Sequence, residues 1–346
     1  MIENEGVRAE EARSCLLCGG EGVLLYDGLR DRLFGAPGIW SLMQCPKCQL
    51  VWLNPRPLSE DIGGLYSQYY THQVPDAPKR SLEGVRKRVK ASILRSSFGY
   101  EMEGSSRILG SVLSRIGPLE DIVGANVRYL KSDDRGRLLD VGCGNGFFLD
   151  HMRRLGWDAS GVELDSEAVS VAREKFGLEV FDGYLEEAKF PDGSFDAITV
   201  NHVIEHVLDP VGLLKECRRV LRADGRLIVI TPNIKSLGCC AIDENWVHWD
   251  PPRHLFIFSP EALGTCAERA GLILEDVRTT ASNARWSWAI SRLIKQDGIL
   301  AEGLPETLGV QQKIEGWAFQ VVEHGLCCRG KVGEEIVMEA TSSYRT

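Results

Sequence analysis

The second half of the chain alternates short apolar runs with segments in which apolar residues recur every three or four positions. The runs are rich in Val, Ile and Leu, which is typical of buried strands, and the spacing between them is that of amphipathic helices. This alternation predicts a parallel sheet with helices on both faces. The predicted strands cover residues 137–141, 158–163, 178–181, 195–201, 225–231, 272–280 and 334–341.

The first of these strands ends in a glycine-rich turn that organises this half of the chain. Residues 138–146 read Leu-Leu-Asp-Val-Gly-Cys-Gly-Asn-Gly, and a helical pattern follows. Such glycines let a ligand approach the backbone and face the free N–H groups of the helix. The next strand ends at Glu163, where a carboxylate can accept hydrogen bonds from a ribose. A dinucleotide fingerprint requires Gly or Ala at position 147, so Phe147 disfavours NAD and indicates a different adenosine ligand.

Four ordered motifs, at residues 140–146, 161–163, 190–196 and 221–233, resemble those of class I S-adenosylmethionine (SAM) methyltransferases. The resemblance covers about residues 110–341. It implies a Rossmann-like, seven-stranded α/β sheet whose last strand runs antiparallel, with ligands at the carboxyl ends of the first and fourth strands.

The same resemblance implies a set of cofactor contacts. Asp140 and the glycines would line the methionine part of SAM, Glu163 would hold the ribose, and the turn at 183–185 would flank the adenine. The implied contacts are Asp140, Gly142, Cys143, Gly144, Gly146, Glu163, Tyr184, Leu185 and Asn201.

The fourth predicted strand delivers His202, Glu205 and His206 to the edge of the site. Residues three and four apart share one side of a helical turn. A histidine here could be a general base, the three side chains could bind a divalent metal, or they could only brace the SAM pocket. The cluster also resembles the Glu-His element of ubiquinone-type O-methyltransferases, which are associated with divalent metal, although this chain has His202 where those carry an acid.

The loop after the fifth strand is the predicted acceptor-binding segment. Trp246 and Trp249 offer flat apolar walls, Arg253 could pair with an anionic or hydroxyl-bearing group, and His254 is a second candidate base. The sequence at 251–255 resembles a loop near the acceptor pocket of bacterial methyltransferases that act on sugars and other small metabolites. Docking of a helix is the alternative role.

Two Cys-x-x-Cys pairs, Cys15 with Cys18 and Cys45 with Cys48, lie near the N-terminus. Four thiolates on two knuckles complete a tetrahedron around Zn²⁺, with iron as the competing metal. Such a site has no open coordination position, so its predicted role is structural. Some sugar C-methyltransferases have a comparable N-terminal zinc domain.

The resulting domain hypothesis is a zinc ribbon at 1–57, a helical linker or lid at 58–135 and a methyltransferase domain at 136–346.

Seven basic residues lie at 79–95, with Leu82, Val85, Val89 and Ile93 on one helical face. That helix could pack on the core, cover an anionic substrate or contact an acidic membrane surface. Two amphipathic helices are predicted within 283–330, as a sheet cover, dimer contact, acceptor lid or membrane-facing cap.

Composition and charge exclude several classes of function and indicate a cellular location. The net charge of −9 argues against a general nucleic-acid binder. The acidic N-terminus is unlike a secretory signal, and no apolar run approaches the ~18 residues of a membrane span, so we expect a cytoplasmic protein. The eleven cysteines are accordingly interpreted as thiols or metal ligands.

The sequence thus predicts transfer of a methyl group from SAM to a small-molecule acceptor, such as a sugar, a nucleotide sugar or another secondary or envelope metabolite. One alternative is O-methylation of a phenolic or quinone-type lipid at the membrane surface. Another is a non-catalytic SAM-binding module with an interacting zinc ribbon. Homodimer formation is left open.

Overall fold

A computed structural model of the chain describes residues 2–66, 83–300, 308–327 and 330–343. Its strands are β1 (Ile2–Asn4), β2 (Val7–Glu10), β3 (Val23–Leu29), β4 (Trp40–Gln44), β5 (Val51–Asn54), β6 (Arg56–Pro57), β7 (Arg137–Val141), β8 (Asp158–Glu163), β9 (Glu179–Asp182), β10 (Phe195–Asn201), β11 (Leu221–Pro232), β12 (Phe256–Ile257), β13 (Ile273–Thr280) and β14 (Glu335–Thr341). Its α-helices are α1 (Ser59–Ile62), α2 (Glu83–Phe98), α3 (Arg107–Leu113), α4 (Gly117–Ala125), α5 (Phe147–Arg154), α6 (Ser166–Phe176), α7 (Pro210–Val220), α8 (Leu237–Ile242), α9 (Pro260–Arg269), α10 (Ala284–Asp297) and α11 (Val310–Cys327).

The central sheet contains seven strands in the order β13-β14-β11-β10-β7-β8-β9. β14 runs antiparallel to both of its neighbours, and the other pairs are parallel. The predicted α/β fold class and the antiparallel last strand are therefore confirmed. β11 begins earlier than the predicted position 225, because Leu221 already pairs with Phe195 before a register shift in β10.

The strand order reverses between β7 and β10, which lie side by side. Asp140 is the register partner of Thr199 across this pair. The loops that follow these two strands therefore open from the same edge of the sheet on either side of a crevice. In open α/β sheets this is where ligands bind.

The N-terminal sheet includes one strand from the second half of the chain. A second sheet has the order β12-β5-β4-β3, and β12 comes from the loop that follows β11. Phe256 pairs with Trp52, and Ile257 pairs with Val51. The neighbouring Leu53 N–H donates to the Leu255 carbonyl at 3.0 Å. The loop that was predicted to meet the acceptor thus forms the edge of the N-terminal sheet.

A buried ion pair reinforces this junction. Arg253 Nη1 donates to Asp31 Oδ2 at 2.7 Å, and neither side chain is exposed to solvent. The same guanidinium donates to Asp250, with Nε at 3.0 Å from Oδ2, and lies 4.7 Å from the centre of the Phe34 ring. Burial alone would raise the pKa of Asp31, but the contacts with Arg253 outweigh burial and lower it. Arg253 therefore binds two carboxylates of its own chain.

The predicted basic helix corresponds to α2, and the part of the prediction before residue 83 lies outside the described residues. Its apolar stripe is buried in one half only. Ile93 is fully buried, whereas Val85 is 67% exposed. α2 therefore packs through its C-terminal half and presents its N-terminal half to solvent.

The predicted helical insertion contains α10 and α11, which pack against each other. The rings of Trp288 and Phe319 stack between them, with centroids 4.1 Å apart. Cys328, the residue that follows α11 in the sequence, lies outside the described residues. Within the described ranges, no helix combines the length and apolar character needed to cross a bilayer.

Replacement of Asp31 by Asn tests the junction. Asp31→Asn leaves part of a buried guanidinium without its carboxylate, and we expect the free energy of unfolding to fall by about 3 kcal/mol. Chemical denaturation measures the loss. Asp27→Asn is the matched control, because Asp27 is exposed on β3 and its loss should change stability little. Equal stability of the two variants would contradict the proposed importance of the Arg253 ion pair.

Candidate active site and candidate metal centre

The turn after β7 has the backbone geometry that its glycines predict. Gly142, Gly144 and Gly146 have φ angles of 71°, 53° and 79°. A Cβ at Gly142 would lie 2.3 Å from Val203 Cγ2, and one at Gly146 would lie 2.6 Å from Leu178 Cδ1. Both conformation and space therefore require glycine at these two positions. The turn leads directly into α5, as predicted.

Glu163 is held at the mouth of this turn. Its Oε2 accepts from the Gly144 N–H at 2.8 Å, and its Oε1 accepts from the N–H groups of Leu164 and Asp165 at 2.8 and 3.0 Å. These amides fix the direction of a half-buried carboxylate. A carboxylate has about four lone-pair sites, so it can also accept from ribose hydroxyls.

Arg128 and Asp140 form a buried ion pair beside the turn. Arg128 Nη1 also donates to Thr199 Oγ1 at 2.9 Å, and Thr199 donates to Asp140 Oδ1 at 2.8 Å. Asp140 Oδ2 is buried and has no hydrogen-bond partner among the described residues. Burial raises the pKa of Asp140 to about 6, against the opposing influence of Arg128.

This pair provides the test of fit for SAM. A buried acceptor without a partner suits an ammonium group, and an adjacent guanidinium suits a carboxylate. The methionine part of SAM carries both groups. Asp140 was predicted from its motif, whereas Arg128 was not predicted. The one signal in the sequence is a cation among apolar residues just before the first strand of the central sheet.

The other predicted cofactor contacts lie around the same crevice. Tyr184 is 51% exposed after Gly183, and Leu185 beside it is buried. Cys143 is buried and packs against Gly161. A Cβ added at Gly161 would lie 2.5 Å from the Sγ of Cys143. Asn201 ends β10 and is half-buried. Their role as SAM contacts stays a prediction.

His202 lies between two carboxylates. Its Nδ1 is 3.2 Å from Glu205 Oε1, and its Nε2 is 2.7 Å from Glu335 Oε1. Burial would lower the pKa of His202, but these hydrogen bonds outweigh burial and raise it to about 10. Both nitrogens therefore carry protons near neutral pH. This corrects the prediction of His202 as a general base, because an imidazolium has no lone pair to accept a proton.

Glu205 and Glu335 are anchored on their other sides. The buried Glu205 accepts from Thr231 Oγ1 at 2.9 Å. Burial would raise its pKa, but His202 outweighs burial and lowers the pKa to about 2. Glu335 accepts from Ser282 Oγ at 3.3 Å and Asn283 Nδ2 at 3.4 Å. Glu335 lies in a predicted strand, but its role was not predicted because no local motif links it to His202.

His206 and His254 have the opposite protonation state. Burial lowers the pKa of each to about 4. Their Nδ1 atoms lie 3.1 Å from the Arg253 carbonyl and 2.6 Å from the His248 carbonyl, respectively. Because a carbonyl only accepts, Nδ1 carries the proton in each neutral ring and Nε2 carries the lone pair. Each ring is therefore neutral near pH 7, and Nε2 is its basic atom.

The residues that could bind a divalent metal differ from the predicted set. One ligand atom each from Glu205, His206 and His254 lies within 4.8 Å of the others. Two imidazoles and a carboxylate suit a divalent transition metal. The structure thus replaces His202 in the predicted set with His254, since His202 is held as a cation by two carboxylates.

The predicted acceptor contacts in the loop before β12 are buried. Trp246 Nε1 donates to Glu334 Oε1 at 2.7 Å, and Trp249 Nε1 donates to the Asp243 carbonyl at 2.9 Å. Arg253 is occupied by Asp31 and Asp250. The expectation that these three side chains meet the acceptor is corrected, because their polar atoms hold the loop to its own protein.

The four N-terminal cysteines converge as their spacing predicts. The carbonyl of Cys15 accepts from the Gly19 N–H, and that of Cys45 accepts from the Gln49 N–H, both at 2.9 Å. The four sulfur atoms lie within 4.8 Å of one another. Tetrahedral Zn²⁺ with bonds of about 2.3 Å requires sulfur atoms about 3.8 Å apart, so this arrangement suggests a zinc site.

This chain is similar to several known proteins. A family model described as a methyltransferase domain matches residues 119–277. A ubiquinone biosynthesis O-methyltransferase of Cereibacter sphaeroides is 32% identical over 167 residues, which cover 45% of this chain and 68% of that protein. One from Xanthomonas oryzae pv. oryzae is 38% identical over 154 residues, covering 41% and 64%. A solved SAM-dependent methyltransferase from Archaeoglobus fulgidus has 19% identity and a TM-score of 0.41, covering 68% of this chain and 95% of that one.

The protonation of His202 predicts a pH-dependent stability. A pKa raised above the ordinary value of about 6.5 stabilises the fold fully below that pH, and the stabilisation is lost as pH rises towards 10. The difference in melting temperature between wild type and His202→Gln should therefore be largest near pH 6.5 and shrink by pH 10. His151→Gln is the control, because burial lowers the pKa of His151 to about 4. A constant difference for His202→Gln over this range would contradict the assignment.

Proposed function

Because the chain belongs to the class I SAM-dependent methyltransferases, we propose that it methylates a hydroxyl oxygen of a small-molecule acceptor, most suitably a phenolic or quinol-type compound. The observation that carries this proposal is the position of His206 just after the carboxyl end of β10, with its Nδ1 at 3.1 Å from the Arg253 carbonyl. The curated relatives support the choice of oxygen, since they are named ubiquinone biosynthesis O-methyltransferases.

The protein's own groups would hold the donor and orient the acceptor. SAM, when bound, supplies an electrophilic methyl group and a good leaving group. Asp140, Arg128 and the glycine turn would hold its methionine part, and Glu163 would hold its ribose. Alignment of the two reactants then provides much of the rate enhancement.

His206 is the proposed proton acceptor. The Arg253 carbonyl fixes its Nδ1–H, so Nε2 is the atom that receives the hydroxyl proton. His206 is half-buried, whereas His254 is only 5% exposed and its ring centroid lies 4.6 Å from that of His206. His254 is therefore assigned a positioning role behind His206. His202, Glu205 and Glu335 would fix the edge of the pocket.

The weak basicity of His206 favours a phenol over a sugar. A phenolic hydroxyl has a pKa of about 10, far below that of an aliphatic alcohol, so a weak base suffices. The competing sugar or nucleotide-sugar class rests on the four-cysteine segment and the 251–255 pattern. Arg253 was its expected anion partner, and that side chain is engaged by Asp31 and Asp250.

The acceptor class is tested with radiolabelled SAM against catechols, other phenols and nucleotide sugars. His206→Asn should lower kcat by roughly 10²–10⁴-fold with an active phenol, while calorimetry shows S-adenosylhomocysteine binding within about twofold of wild type. His151→Gln, which alters a half-buried histidine on α5, is the control. Methylation of nucleotide sugars alone would overturn the phenol proposal. Loss of turnover on chelation with the N-terminal metal retained would reassign His206 to a metal site.

We also propose that Cys15, Cys18, Cys45 and Cys48 bind one structural Zn²⁺. Thiolate coordination would fix the two knuckles on either side of β3 and β4. Because β12 belongs to the same sheet, the metal would also stabilise the loop that carries His254.

Elemental analysis tests the zinc proposal. Wild type should carry about one zinc per chain and Cys18→Ser clearly less. Cys240→Ser is the matched control, because Cys240 is also exposed but lies outside the cluster. Amide hydrogen exchange at Leu53, which pairs with Leu255, should accelerate in Cys18→Ser. Iron in place of zinc, or full zinc content in Cys18→Ser, would contradict the assignment.

A further inference from the structure

The surface formed by α2 and α3 combines exposed cations with exposed large apolar side chains. Arg86, Lys87 and Arg88 are exposed in the first turns of α2. On α3, Ile108 is 81% and Val112 is 58% exposed. Residues 83–98 of α2 contain five basic residues and one acidic residue, Glu83, in a chain of net charge −9, whereas the arginines nearest α3 face Glu101, which lies 3.0 Å from Arg95 and 4.0 Å from Arg107. The basic character is therefore local.

The outward orientation of this apolar row is fixed by close packing. A Cβ at Gly110 would lie 2.0 Å from the Ser92 carbonyl oxygen, so α3 lies directly against the backbone of α2. Gly110 is buried on the face opposite the row, while Ile108, Val112 and Ile116 recur at intervals of four residues. α3 cannot bury this row by rotation without losing its contact with α2.

The apolar row continues onto α11. There Val310, Ile314, Trp317 and Val321 share one face and are each at least 43% exposed. His324 lies three residues further along that face, and a Cβ at Gly117 would be 2.0 Å from its Nε2. Gly117 immediately follows Ile116, so the two rows meet at this contact. The guanidinium of Arg285 lies 4.8 Å from the centre of the Trp317 ring.

We propose that this surface, formed by α2, α3 and α11, docks the protein on an anionic lipid bilayer. Isoleucine, valine and tryptophan side chains suit the boundary between headgroups and acyl chains, and surrounding Arg and Lys residues suit anionic headgroups. Contiguous exposed apolar side chains of this number mark an interaction surface on a protein of this kind.

The charge pattern argues for the bilayer over a second copy of the chain. A symmetric contact through this surface would bring the same cationic helices together, and like charges oppose association. A bilayer containing acidic lipids offers the opposite charge along with an apolar interior. The inference does not depend on the acceptor class, because docking requires neither SAM nor acceptor.

Vesicle co-sedimentation tests the inference. Wild type should sediment with vesicles of phosphatidylcholine and phosphatidylglycerol at low salt, much less at high salt and little with phosphatidylcholine alone. Arg86→Gln, Lys87→Gln and Arg88→Gln together should lower the partition constant on the order of a hundredfold. Ile108→Ser with Val112→Ser should lower it about tenfold or more.

The matched control is Val23→Ser with Leu24→Ser, which removes two comparably exposed apolar side chains from β3. It should bind vesicles like wild type. Circular dichroism and S-adenosylhomocysteine binding verify that each variant is folded. Absence of sedimentation at low salt would overturn the inference, as would equal loss in the control. A dimer detected by light scattering and broken by Ile108→Ser with Val112→Ser, without vesicle binding, would assign the surface to a second copy.

Discussion

The contact between the N-terminal segment and the rest of the chain depends on the ion pairs of the Arg253 guanidinium. It is fully buried and lies between Asp31 of the N-terminal segment and Asp250 of its own loop. A buried charge is stable only when it is paired, so the two parts of the chain must be docked for this residue to be tolerated. The backbone of the same residue fixes His206 through its carbonyl. One side chain thus joins two sheets while its main chain orients the candidate base.

Charge balance divides the four histidines near the crevice into different roles. Two carboxylates hold His202 as a cation, whereas burial keeps His206 and His254 neutral. His248 lies behind them, bonded to Ser287 at 2.9 Å. The cation links the end of β10 to Glu335 of β14 past the intervening β11, and the neutral pair supplies lone pairs. Histidines close together in space can therefore perform structural and chemical work at one pH.

The strands, the glycine turn and the four-cysteine cluster could be predicted because their signals are local. Periodicity marks a strand, and a two-residue gap marks a metal-binding knuckle. The partners of Arg253 and His202 could not be predicted in this way, because Asp31 and Glu335 are distant in sequence and become neighbours only through strand order. An exposed arginine in a loop and a buried one have the same local sequence. Arg128 was missed because its partner Asp140 belongs to a different element, β7, and no motif links the two residues.

The position of β12 in the N-terminal sheet also affects the order in which parts of the protein fold. Asp31 and Arg253 are separated by 222 residues, and β12 can pair only with a completed β5. Contacts of such long sequence separation form late, because chain entropy must be lost before they are gained. The loop carrying His254 therefore reaches its final position only after synthesis has passed it and β5 has formed. The proposed zinc site, by stabilising the sheet that contains β5, would then also favour completion of the loop beside the candidate base.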